Sequence, residues 1–128
     1  MVSDLYDFYR NVTYFKDYDE NSFIGKWLDY SEWDDDEYFK LEEALLKISE
    51  IYMENGYVSK EILLGIMRIL DLLMIPDWTI FEIKNDILDI YCRYERFKYL
   101  ISVIFCGEKV IMPEFEYSLT SIVQIKNK

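Results

Sequence analysis

The side chains able to do chemistry in this chain are carboxylates. Twenty-five Asp and Glu stand against 14 Lys and Arg, with no histidine and two cysteines, in 128 residues. Paired carboxylates can serve as acid and base, but the sequence offers many such pairs and singles out none. The segment Asp17-Tyr18-Asp19-Glu20-Asn21-Ser22 opens like a calcium loop. Its sixth position is Ser22 where the turn needs glycine, and its twelfth is Leu28 where a bidentate Glu is needed. The adjacent Asp34, Asp35 and Asp36 are too unspecific a pattern to define a magnesium site. Without histidine, the commonest general base and the commonest metal ligand are both missing, and neither Cys92 nor Cys106 has an imidazole to activate it. There is no glycine-rich phosphate loop, dinucleotide fingerprint or nucleophile elbow. The expectation is a protein with no catalytic residue, no metal and no cofactor.

Binding is the chemistry that remains. Residues 1–50 hold 14 acidic and 5 basic side chains, net −9, together with 12 of the 23 aromatics. From Asp29 to Glu43 eight carboxylates are opposed only by Lys40. Acid and aromatic interleave there as Trp27-Leu28-Asp29-Tyr30-Ser31-Glu32-Trp33-Asp34-Asp35-Asp36-Glu37-Tyr38-Phe39. Carboxylates at a helix start gain about 0.3–1 kcal/mol each from the dipole, yet one or two suffice, and further ones repel each other. Aromatics among unneutralised carboxylates have the composition of a hot spot for a basic protein, although the same rings could equally fill the core of a small domain. The candidate contact residues are Asp29, Tyr30, Glu32, Trp33, Asp34, Asp35, Asp36 and Glu37. A net charge of −11 argues against direct binding to nucleic acid or to an anionic membrane. The natural clients are nucleic-acid-binding proteins, whose clefts are lined with Lys and Arg. One basic cluster, Arg93, Arg96 and Lys98 beside Tyr94 and Phe97, is expected to pair internally with the acidic half or to form the polar stripe of its helix.

Something must position these groups, and four glycines and two prolines point to long helices rather than a turn-rich sheet. From Asp34 to Asn55 the apolar positions Leu41, Leu45, Ile48 and Tyr52 recur at helical spacing, widened by Ala44 and Ile51. Asp34 followed by Glu37 reads as a capping box, and Gly56 as the stop. A second helix is predicted from the N-cap Ser59 to about Met74, ended by Pro76, with Ile62, Ile66, Ile69, Leu70 and Leu73 inward. A third runs from after Asn85 to Gly107; its second half, Tyr99 to Cys106, is apolar almost all round and is expected at the centre of the bundle. Asp4–Asn11 and Asn21–Asp29 are short candidates. Lys109–Met112 and Tyr117–Ile125 fit either a hairpin or irregular extended chain. The fold class is therefore mainly α: one domain over residues 1–128, a compact bundle of about five helices with an extended C-terminal tail. The N-terminus lacks the order of a signal peptide and no apolar run spans a bilayer. Two cysteines about 21 Å apart along one helix cannot bond, which suits a cytoplasmic protein. Monomer and weak dimer both fit.

The words Asp7-Phe8-Tyr9-Arg10-Asn11, Ser22-Phe23-Ile24-Gly25-Lys26-Trp27 and Trp33-Asp34 with Glu37-Tyr38-Phe39-Lys40-Leu41-Glu42 resemble the N-terminal half of small immunity proteins from bacterial polymorphic-toxin and contact-dependent growth inhibition systems. The resemblance covers residues 7–45. It implies a non-enzymatic cytoplasmic inhibitor that binds a cognate toxin domain, commonly a nuclease, at its active site or a nearby surface. It assigns no roles to single residues, so the contact residues above rest on charge. Two other readings are a phosphate-mimicking inhibitor of a DNA-binding protein and an obligate structural subunit.

Overall fold

A computed structural model describes residues 5–74, 82–83, 90–105 and 117–118. In chain order these form α1 (Tyr6–Tyr9), α2 (Phe23–Tyr30), β1 (Glu32–Trp33), α3 (Asp35–Asn55), α4 (Lys60–Leu73), β2 (Glu82–Ile83) and α5 (Ile90–Ile104). The architecture is the mainly α bundle that the apolar periodicity predicts. Its small addition is a parallel pairing of β1 with β2, Glu32 opposite Glu82 and Trp33 opposite Ile83.

The helix ends follow their local chemistry. Ser22 Oγ accepts from the Gly25 N–H, Ser59 Oγ from the Ile62 N–H, and the Asp34 carboxylate from the Asp36 and Glu37 N–H groups. The reciprocal half of the predicted capping box is not made, because Glu37 is drawn to Arg10 and Lys40 instead. Gly56 closes α3 in the left-handed region at φ 76°. Ser31 closes α2 at φ 52°, a conformation a side chain tolerates poorly.

The central element is α3, which packs against α1, α2 and α5. It buries Leu41, Ala44, Leu45 and Ile48, as its spacing requires, together with Tyr38 and Phe39. The second half of α5, expected at the centre of the bundle, places Leu100 and Ile104 in the core with Ile101 and Phe105 packed against it. Arg93, Tyr94, Arg96, Phe97, Leu100 and Ile104 form the helix's buried face, while Tyr99 and Ile101 are half-buried, Ser102 is exposed, and Tyr91 of the predicted stripe is exposed. Helix α4 lies against α1 at Gly65, where an added Cβ would stand 2.6 Å from the Phe8 ring. The predicted strands Lys109–Met112 and Tyr117–Ile125 lie outside the described residues except for Tyr117 and Ser118, as do Pro76, Cys106 and the start of the third predicted helix.

Candidate functional site: the acidic edge between α2 and α3

The acidic run divides into an inner and an outer set. In the inner set, Asp35 is fully buried at the first turn of α3. Its Oδ1 accepts from Arg93 Nε and its Oδ2 from Arg93 Nη2, each at 3.0 Å. This is the paired, planar geometry that makes an arginine–carboxylate contact strong. Tyr117 donates its hydroxyl to Asp35 Oδ1 at 2.7 Å and accepts from the Trp33 indole N–H at 3.3 Å. Burial and the Asp35 charge push the Tyr117 phenol well above its ordinary range, so it remains a donor. Two turns further along α3, Glu42 takes Arg96 in the same manner, with a shortest contact of 2.6 Å. Burial works against the Arg96 charge, but the hydrogen bonds it donates to Glu42 and the Glu42 charge outweigh it and raise its pKa.

Asp34 is also buried, with Oδ1 capping α3 and Oδ2 accepting from Lys26 Nζ at 2.7 Å. That bond raises the Lys26 pKa. Glu37 binds Arg10 at 2.6 Å and Lys40 at 2.8 Å, and Arg10 also reaches Asp19 at 2.9 Å and Asp7 at 3.3 Å. Trp33 is wholly buried, edge-to-face with Phe23 at 4.7 Å and with Trp27 at 5.7 Å.

The expectation of one unneutralised acidic-aromatic patch is thus corrected for part of its members. Trp33, Asp34 and Asp35 belong to the interior, where they complete the core, cap a helix and hold α5. Glu37 is half-buried and engaged by two cations. The physical reason is that arginine and lysine from α1, α2 and α5 converge on the start of α3. Arg93 and Arg96 pair with the acidic half, one of the two outcomes expected of them.

The outer set consists of Asp29, Tyr30 and Asp36, all exposed, with Glu32 half-exposed on β1. Tyr30 keeps 62% of its surface in water. These four lie on the last turn of α2, on β1 and on the first turn of α3, with the buried Trp33, Asp34 and Asp35 between Glu32 and Asp36. Sequence reading missed Arg10, Lys26 and Tyr117 as the groups that partition the acids. Arg10 carried a signal in its three-residue spacing from Asp7; Tyr117, 82 residues from Asp35, carried none.

Among the described residues no group of three His, Cys, Asp or Glu is arranged to hold a metal ion, and no helix is long and apolar enough to cross a membrane. Among the described residues the buried ionic groups join the helices to one another, while Asp29, Tyr30 and Asp36 face outward. The model of one family, Immunity protein 41, matches residues 10–116, and the chain belongs to that family of immunity proteins of bacterial toxin systems. No curated relative and no solved structure matches the chain.

Proposed function

We propose that this protein is a cytoplasmic, non-enzymatic inhibitor that neutralises a cognate nuclease toxin, of a contact-dependent growth inhibition or related system, through the edge formed by Asp29, Tyr30, Glu32 and Asp36. Trp33, Asp34, Asp35 and Glu37 act from behind that edge by fixing α2, β1 and α3 in place. The supporting observation is the exposed acid-and-tyrosine edge of a family member that carries eleven more anions than cations. A nuclease presents Lys and Arg for its own phosphate substrate, and such a surface is steered onto a negative edge at a rate that falls with ionic strength. Tyr30 supplies desolvated contact area at the centre of the charge. Membranes and nucleic acids are not its partners on this reading.

The test pairs the protein with its toxin in stopped-flow association at 50–500 mM salt. The association rate is expected to fall steeply with salt for the wild type and only weakly for the triple variant Asp29→Lys, Glu32→Lys, Asp36→Lys. A rate indifferent to salt, or a triple variant that associates as fast as the wild type, refutes the acidic edge as the contact.

A further inference from the structure

A second surface lies between the segment after α1 and the start of α4. The segment following α1 and the first turn of α4 enclose a surface groove of about 400 Å³ lined by Tyr9, Tyr14, Phe15, Lys16, Asp17 and Glu61. Three aromatic rings and two carboxylates therefore converge on one cavity. Tyr9 and Phe15 hold each other edge-to-face at 5.3 Å, which fixes that part of the wall. Burial, then the charge of Glu61, raises the Tyr9 phenol pKa, so the Glu61 carboxylate acts on the ring that lines the groove. Tyr14 is 67% exposed, and Asp17 and Glu61 are exposed.

Rings flanked by carboxylates attract cations twice over, through the negative face of the aromatic and through direct charge. The same surface already holds one guanidinium this way. Arg68 lies 4.9 Å from the Tyr14 ring centroid, fixed by its Nε donating to Thr13 Oγ1 at 2.9 Å. On the other side of Tyr14 in the lining, a smaller groove of about 260 Å³ is bounded by Leu64, Met67, Arg68 and Asp71. Leu64 and Met67 are exposed apolar residues that would cover an aliphatic neighbour.

We infer that the Tyr9–Tyr14–Glu61 groove is a receptor for an arginine or lysine side chain of a protein partner, its cationic head over the rings between Asp17 and Glu61. The partner is the toxin, a step that rests on the functional reading above; the groove is a second contact, separate from the α2–α3 edge. Lys16, which lines the groove, and Arg68, which already lies over the Tyr14 ring, are the competing cations from within the chain.

The probe is N-acetyl-arginine amide, with N-acetyl-citrulline amide as its neutral isostere, titrated against the full chain while the ring signals of Tyr9, Tyr14 and Phe15 are followed by NMR. Arginine is expected to shift those signals with an affinity about tenfold above that of citrulline, and the double variant Asp17→Asn, Glu61→Gln to abolish the difference while its circular dichroism stays that of the wild type. The same double variant is expected to bind the toxin about tenfold more weakly. Equal binding of the two probes overturns the inference. So does arginine binding that appears only in Lys16→Ala, since the groove is then filled by the chain itself. A toxin affinity indifferent to the double variant overturns the choice of partner. A chain that binds the arginine probe but no toxin refutes the functional reading and leaves the chemistry of the groove standing.

Discussion

At the scale of single residues, the deciding pair is Asp35 with Arg93. Both side chains are fully buried, and a buried ion pair contributes little net stability until one partner is removed, when the other is left charged and unsatisfied. Arg93→Met is therefore expected to lower unfolding free energy by about 3–5 kcal/mol in urea denaturation. The double change Arg93→Met, Asp35→Leu should recover most of that loss, and failure to recover it would mean that the pair holds more than its own charges. The split between Asp35 inside and Asp36 outside was not legible in the sequence, where the two are neighbours of one type. Helical geometry turns adjacent side chains by about 100°, and only the position of Arg93 decides which of them faces inward. The words that carry the family resemblance prove to be largely scaffold: Asn11 accepts from the Ile24 N–H, Ser22 caps α2, and Trp27 donates its indole N–H to the Leu72 carbonyl.

At the scale of elements, α3 and α4 were legible because each carries both an apolar stripe and a capping side chain at its start, whereas α2, eight residues long, stood in the sequence only as a short candidate. The short α1 was less so, since four residues give no period to read. The β1–β2 pairing is two residues long and depends on chain far away in sequence, so no local pattern announces it. The link from α2 into β1 turns on Ser31, whose left-handed backbone normally falls to glycine. Ser31→Gly is expected to raise stability by about 0.5 kcal/mol, read as a higher urea midpoint at unchanged slope. A lowered midpoint would show that the Ser31 side chain contributes more than its backbone strain takes away. Because Ser31 lies between Tyr30 and Glu32, the same variant tests whether a relaxed turn alters the presentation of the edge.

At the scale of the whole molecule, the described ion pairs leave a large surplus of negative charge, since the sequence carries eleven more acids than bases. That surplus repels itself, and added salt screens it. The melting temperature is therefore expected to rise between 20 and 200 mM sodium chloride, over the range in which association with a basic partner slows; a melting temperature that falls with salt would mean that surface ion pairs, rather than repulsion, dominate stability. Charge balance was fully legible in composition, but its distribution between interior and edge was not. The contacts that made the difference join residues 54–84 positions apart, beyond any periodicity.

The reach of Tyr117 has one more consequence. Asp35 meets the hydroxyl that completes its surroundings only when a residue 82 positions downstream has been added. On the ribosome, the nascent chain up to Tyr117 can wind its helices but cannot close the interior around that carboxylate. Closure around Asp35 therefore waits for Tyr117, and a chain cut short before that residue would leave the carboxylate without its hydroxyl partner.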